Sequence, residues 1–335
     1  MRNGIWQDVV FNITPSSTTQ TYRDYEIRAF NKQVYVGRGY RDPEGFIKVR
    51  ANDIVAGEVY NRVPTEFDEI GDIFLVPCPN MIVPISIYSG GIRVSYSEVT
   101  ADWSYIANSR LNDPINGHID PRMPLVFSCM NDDSVNVDGY AKTGDFSYDD
   151  YNEDYHRADI HEHYDLTAGN NGNVYLNNTD VAKYQWVVVS NDNDGELIYK
   201  VMPACHRYAL YYVNAYGGVD FLLMEGNCKR SEDIKRYTHK RVASTGYDDR
   251  AIVEDANVQD VKYRLKTGLL TSAESEKMHH LIGATEVFLY DCETREMRPV
   301  VITDTECDHK TYKSEGNRLV QYIINVQLAQ ERMRR

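Results

Sequence analysis

The sequence predicts a mainly β protein, built from several β-sandwich (immunoglobulin-like) or β-barrel-like domains with few short helices. Short runs in which apolar and polar residues alternate recur along most of the chain, as strands with one buried face require. Turn chemistry separates them. Asp42-Pro43-Glu44-Gly45 sets φ with Pro and closes on Gly, and Gly90-Gly91 marks a tight connection. Tyr is abundant, with 26 copies against 9 Phe and 3 Trp, which favours strands and amphipathic interfaces because the ring packs while its hydroxyl needs a partner.

In chain order, residues 1–100 read as an N-terminal β-sandwich. WQDVVFNI, RDYEIRAF, KQVYVGRGY and FIKVR are strands, ANDIVAGEVY is a short helical turn, and IFLVPCPNMIVPISIYSGGIRVSYSEV supplies further strands. Residues 101–240 form a middle β domain. Its first half is less regular, and the tract at about 144–180, rich in Asp, Asn, Gly and His, reads as a long acidic loop or projecting arm. YQWVVVS and ELIYKV then make a hairpin. In YALYYVNAYGGVDFLLMEG, residues 208–226, a second hairpin turns at Asn214 to Gly218. KRSEDIKRYTHKR reads as an exposed strand or linker.

Residues 241–335 form a C-terminal β domain with one capped helix. VKYRLKTGLL is a strand, Thr271-Ser272-Ala273-Glu274 is a capping box, and a helix from about 272 to 282 carries Met278, Leu281 and Ile282 on its apolar stripe. EVFLYD, RPVVITD and LVQYIINVQLAQ close the chain as strands.

At 335 residues the chain has room for two or three domains and a sizeable core. Its net charge of -14 argues against general binding to a nucleic-acid backbone, which depends on Lys and Arg, but fits a wall along which DNA slides. Cys78, Cys129, Cys205, Cys228, Cys292 and Cys307 have no CxxC spacing and read as free, mostly buried thiols. No signal peptide and no apolar stretch of membrane-spanning length is visible, so the expectation is a soluble chain made in the cytoplasm, without membrane partners.

The chemical motifs favour structural readings. Gly37-Arg38-Gly39 is followed by a turn instead of a helix, so it reads as strand glycine and not as a dinucleotide site. Asp192-Asn193-Asp194-Gly195 resembles part of a calcium loop, but Val201 stands where a bidentate Glu would be needed, and a hairpin turn is the better reading. Asp149, Asp150, Glu153 and Asp154 would suit a glycosidase only if something apolar raised a carboxyl pKa, and nothing nearby does.

His156, Asp159, His161, Glu162 and His163 form the most suggestive cluster. His161 and His163 would share one strand face and could hold a transition metal with a carboxylate. Because the tract is irregular, the expectation is a solvated loop with no metal. Of His279-His280, one imidazole packs and the other caps a helix end. With no GxSxG, HExxH or P-loop, the expectation is a non-enzyme without catalytic residues, cofactor or metal.

Two stretches carry a resemblance. YALYYVNAYGGVDFLLMEGN resembles a hairpin of tail-region proteins from phages and prophages of the Bacteroides group. Residues 267–331, with TGLLTSAESEKMHHLIGATEVFLYD and RPVVITDTECDHKTYKSEGNRLVQYIINVQLAQ, look like the closing part of the same proteins. Together they cover about a third of the chain and point to the tail or connector ring proteins of crAss-like phages.

The resemblance implies a virion structural protein: a homo-oligomer of about twelve copies, stacked between portal and tail proteins, with DNA passing through its lumen. A carbohydrate-binding tail adhesin or baseplate component is the second reading, with Trp103, Tyr105 or Trp186 as stacking platforms.

Overall fold

The structure is a computed structural model. It describes residues 2–4, 10–14, 21–50, 54, 63, 73–77, 82–100, 113–129, 135–141, 160–166, 172–176, 181–191, 195–202, 206–215, 217–240, 252–303, 319–329 and 332–334. The protein is mainly β, with several multi-stranded, largely antiparallel sheets.

The first sheet is built from β1 (Arg2–Gly4), β3 (Tyr22–Ala29), β4 (Lys32–Tyr40), β7 (Ile82–Ser89) and β8 (Ile92–Thr100), in the order β1-β8-β7-β3-β4. β2 (Val10–Ile13) and β5 (Ile47–Arg50) form a two-stranded ribbon. Phe11, Ile13, Ile47 and Val49 of the ribbon meet Ile27, Val83, Ile85 and Ile87 of the sheet in one buried core. Gly90 and Gly91 both take positive φ between β7 and β8, the geometry a tight hairpin turn needs. Gly37 and Gly39 lie within β4, where an added Cβ would strike Tyr35 and Ile47, so they are strand glycines as expected. β6 (Ile73–Pro77) leaves this unit and pairs with a strand of the next.

The middle of the chain holds two sheets. β10 (Leu125–Cys129), β13 (Gly172–Leu176) and β6 form one. The other is ordered β12-β11-β14-β15-β9, from β9 (His118–Ile119), β11 (Val135–Ala141), β12 (Ile160–Leu166), β14 (Trp186–Asn191) and β15 (Gly195–Val201). Asn191 pairs with Gly195 where β14 turns into β15, so the calcium-like tract joins a hairpin. The expected long arm at about 144–180 is corrected here. Residues 160–166 and 172–176 are sheet strands, because Ile160–Leu166 finds a full antiparallel partner in Val135–Ala141. Residues 144–159 lie outside the described residues.

The largest sheet runs β17-β16-β20-β21-β22-β19-β18, with a short last strand, β23, against β19. Its strands are β16 (Tyr208–Val213), β17 (Val219–Met224), β18 (Lys229–Lys240), β19 (Ile252–Lys266), β20 (Val287–Asp291), β21 (Glu296–Ile302), β22 (Ile323–Leu328) and β23 (Arg332–Arg334). Sheet membership therefore cuts across the expected division at residue 240, since β16 pairs with β20 and β18 with β19.

The β16–β17 hairpin is the answer to its own unusual composition. Tyr208, Leu210, Tyr212, Leu222 and Met224 face one buried core, and Ala209, Tyr211, Val219, Phe221 and Leu223 face another. A strand alternates its side chains across the sheet, so a hairpin apolar at all but one strand position, Asp220, has both faces covered. Asn214 ties the turn. Its Oδ1 accepts from the Gly218 amide (3.0 Å), and its Nδ2 donates to Asp220, itself buried. From the facing sheet, Ser128 Oγ accepts from the Val219 amide (2.8 Å) and donates to Asn173 (2.6 Å).

Against the core that takes Tyr208, Leu210 and Tyr212 lie two helical turns, α1 (Ser272–Glu276) and α2 (Met278–Ile282), joined at Lys277 where one helix was expected. The expected capping box is present: the Glu274 amide donates to Thr271 Oγ1 (3.3 Å), and the Thr271 amide donates to Glu274 Oε2 (2.6 Å). Met278 and Leu281 are buried. His280 is buried while His279 is exposed and bonds to the Glu276 carbonyl (2.6 Å).

Adjacent tyrosines of β16 differ in one testable respect. Tyr211 donates to the Pro124 carbonyl (2.6 Å), whereas among the described residues the Tyr212 hydroxyl, equally buried, has no hydrogen-bond partner. Tyr211→Phe is expected to lower stability by about 1–2 kcal/mol, and Tyr212→Phe to leave it unchanged or raise it. Urea unfolding midpoints of the two variants check this.

Candidate functional site

The β12-β11-β14-β15-β9 sheet has one face in the main core; on the other, the β12 edge is open to solvent while Trp186 and Val188 of β14 are buried. Val135, Val137 and Ala141 of β11, with Val187 and Val189 of β14, are buried. Between them, a Cβ on Gly139 would lie 2.5 Å from the Tyr184 ring, so glycine lets that ring lie flat on the strand. The Tyr184 hydroxyl bonds to Glu162, which also accepts from Tyr164 (3.0 Å). Burial and the neighbouring Glu162 carboxylate push the Tyr184 phenol well above its ordinary range, while the two hydroxyls hold Glu162 below its own.

The opposite face carries Asp138 and Tyr140 of β11, His161 and His163 of β12, and Trp186 and Val188 of β14. His163 stands directly across from Asp138, and His161 across from Tyr140. His161 Nε2 and His163 Nδ1 each lie 2.7 Å from the same Asp138 oxygen, Oδ1. The two imidazoles are about half exposed, while Asp138 is mostly covered. Tyr140 stacks on His161, with centroids 4.7 Å apart and planes 7° from parallel, so the ring is held from one side. Donor atoms of Asp138, His161 and His163 all fall within 4.8 Å of one another.

The expected pairing of His161 with His163 is thus present, but their carboxylate is Asp138 and not Glu162, which lies on the other face. His156, Asp159, Asp149, Asp150, Glu153 and Asp154 lie outside the described residues, as do Trp103 and Tyr105. Trp186 is 1% exposed, packed with Val188 and Tyr140. It has no open ring face for a sugar, which corrects its expected use as a stacking platform.

Two further polar clusters are buried and structural. Asp120, fully buried, accepts from Arg122 Nε and Nη2 (2.9 Å each) and from the Arg122 amide (2.9 Å), with His206 Nδ1 at 3.8 Å. Burial alone would raise this carboxyl, but the hydrogen bonds from Arg122 and His206 outweigh it and bring it down to about 2. His280 is pushed down to about 4 by burial and by the adjacent His279, against the pull of Asp113 (3.8 Å). Cys228 and Cys292 are free thiols, both raised by burial and Cys292 to about 12, so neither is a ready nucleophile.

No protein family matches this chain, and no curated protein is similar to it. The class defined by the fold is a multi-sheet β protein, and its function is argued from its surfaces.

Asp120 and His280 each contribute to the acid stability. Asp120 falls from 3.8 in the unfolded chain to about 2 when folded, so its contribution is complete above about pH 4 and is lost as pH drops toward 2. His280 falls from 6.5 to about 4, so the unfolded chain gains a proton that the folded one refuses, and stability declines as pH drops from 6.5 toward 4. Denaturation midpoints measured across pH are expected to show both limbs, each worth about 2–3 kcal/mol. His280→Gln should flatten the upper one. Asp120→Asn should be destabilising at neutral pH, with the difference fading below about pH 3.

Proposed function

We propose that this chain is a structural virion protein of a phage tail, a subunit of an oligomeric ring in the head-to-tail connector through which DNA passes, with no catalytic role. The β18–β19 ribbon is the observation that carries the assembly part of this reading. β18 is the last strand of its sheet and is exposed from residue 229 to 239. β19 pairs with β22 over Lys262–Lys266 and with β23 over Asn257–Gln259, so among the described residues 252–256 have only β18 beside them. A two-stranded ribbon is marginal in water by itself. Ile234 and Tyr237 are more than half exposed and, three residues apart on a strand, stand on opposite faces of the ribbon. Apolar side chains on both faces of an open edge suit a strand that a neighbour covers.

The charge pattern favours a second copy as that neighbour. β18 carries five Lys or Arg against two Asp or Glu, on a chain whose net charge is -14. Two β18 strands set together would each bring net positive charge, whereas one β18 against the acidic body of the next copy is attractive. Such a contact joins unlike patches, and unlike patches generate rings when the rotation closes. The virion context comes from the resemblance of residues 208–227 and 267–331 to phage tail proteins. An acidic lumen wall would repel the duplex and let it slide.

Light scattering with negative-stain imaging of the purified chain tests the reading. Closed rings of fixed copy number, about twelve, are expected. Ile234→Asp with Tyr237→Asp should release folded monomers with an unchanged circular-dichroism spectrum. A wild-type chain that stays monomeric at high micromolar concentration would overturn self-assembly through the ribbon.

A further inference from the structure

We propose that Asp138, His161 and His163 form a binding site for a divalent transition cation, with zinc(II) as the reference ion. The site is independent of the assembly reading, since it lies on the solvent face of a different sheet.

Its donor set selects the class of ion. Two imidazole nitrogens and one carboxylate suit zinc and its first-row neighbours, whereas calcium and magnesium take shells made mostly of oxygen. Three protein donors with a fourth position left to water is an ordinary open zinc arrangement. The spacing is close to what such an ion needs. Bonds of about 2.0–2.2 Å arranged tetrahedrally place donors roughly 3.3 Å apart. Here both nitrogens lie 2.7 Å from Asp138 Oδ1, with all three donors inside 4.8 Å. Small rotations about the side-chain bonds bring the set to the required distances while the backbone stays in register.

The sheet preorganises this set. His161 and His163 are two apart on β12, so the pleat sends both to one side, and the antiparallel register sets Asp138 across from His163. β11 lies between β12 and β14, which fixes Asp138 on an inner strand of the sheet. Tyr140 stacks on His161 and holds its plane. Without a cation, the two imidazoles and the carboxylate satisfy one another by hydrogen bonds to Oδ1. With one, each ring presents the lone pair of the nitrogen facing Asp138 to the ion in place of the hydrogen bond. Half-exposed rings leave a route in from solvent.

The experiment is zinc(II) titration of the full chain at neutral pH by calorimetry, with cobalt(II) absorption as a second readout. One equivalent of zinc per chain is expected, along with the visible bands of four- or five-coordinate cobalt. Asp138→Asn, and His161→Ala with His163→Ala, should each weaken zinc binding by about tenfold or more and remove the cobalt bands. Glu162→Gln, on the core-side face, should leave affinity within about twofold. The histidine and Glu162 variants alter exposed groups on the edge strand β12, Asp138→Asn conserves side-chain shape on the inner strand, and circular dichroism verifies that each is folded. Absence of stoichiometric zinc binding overturns the proposal. So does binding that survives the double histidine variant, or that depends on Glu162 but not on Asp138.

Discussion

The whole C-terminal half depends on one hairpin being buried from both sides. β16 and β17 form the wall between two cores, so each of their residues is committed to one core or the other by its position in the pleat. That double burial explains why the hairpin is nearly continuous in apolar residues where other strands alternate. It also explains the cost of its polar atoms. A tyrosine hydroxyl carried into such a wall costs free energy unless it finds a partner, and Tyr211 and Tyr290 find backbone carbonyls at Pro124 and Arg122. Asn214, Asp220 and Ser128 do the same for the turn, where buried amides would otherwise be unpaired. The middle sheets and the C-terminal sheet are thus joined by shared packing and not by a linker, so the expected boundary near residue 240 has no counterpart in the sheets.

Much of this was legible in the sequence, and the exceptions have physical causes. Strands with one wet face declare themselves by period two, and hairpins by their turn residues, so β3, β4, β7, β8, β14, β15, β16, β17 and β20 were all readable. β11 has clean alternation at Val135, Val137, Gly139 and Ala141, yet its polar half, Asn136, Asp138 and Tyr140, blends into the surrounding acidic tract. β12 is harder still. IHEHYDL carries imidazoles and Asp165 at alternate positions, and among the intervening ones a carboxylate, Glu162, interrupts Ile160, Tyr164 and Leu166, so its apolar stripe is broken. It is a strand because β11 offers it an edge, which is a tertiary fact.

The same reasoning separates the two halves of the candidate site. That His161 and His163 share a face follows from spacing alone, because i and i+2 always do on a strand. Which carboxylate joins them does not. Glu162 is nearer in sequence and points away, while Asp138 is more than twenty residues off and arrives through strand register. Register is set by the buried side, where Gly139 must sit beneath Tyr184. A slip of one residue would break that packing and move Asp138 to the wrong face. The polar face therefore inherits its geometry from the core beneath it.

The two exposed surfaces differ in how they are held, and that bears on what each is suited to do. The β11–β12 face is backed by buried Val135, Val137 and Ala141, so its donors need only small side-chain rotations to meet an ion, as a small-ion site requires. Among the described residues, the outer part of the β18–β19 ribbon, from 229 to 239 and at 252, packs no core on either face. Each residue fixed there loses roughly 1–2 kcal/mol of backbone entropy, against about 1 kcal/mol net from each hydrogen bond. An exposed ion pair such as Lys262 with Asp233 adds little. A ribbon in that position gains order chiefly from whatever packs on Ile234 and Tyr237. Long exposed strands of this kind are a liability for a monomer, and the density of Lys and Arg along β18 limits pairing with an identical edge. What those cations leave open is attachment to an acidic surface, and the rest of this chain supplies one.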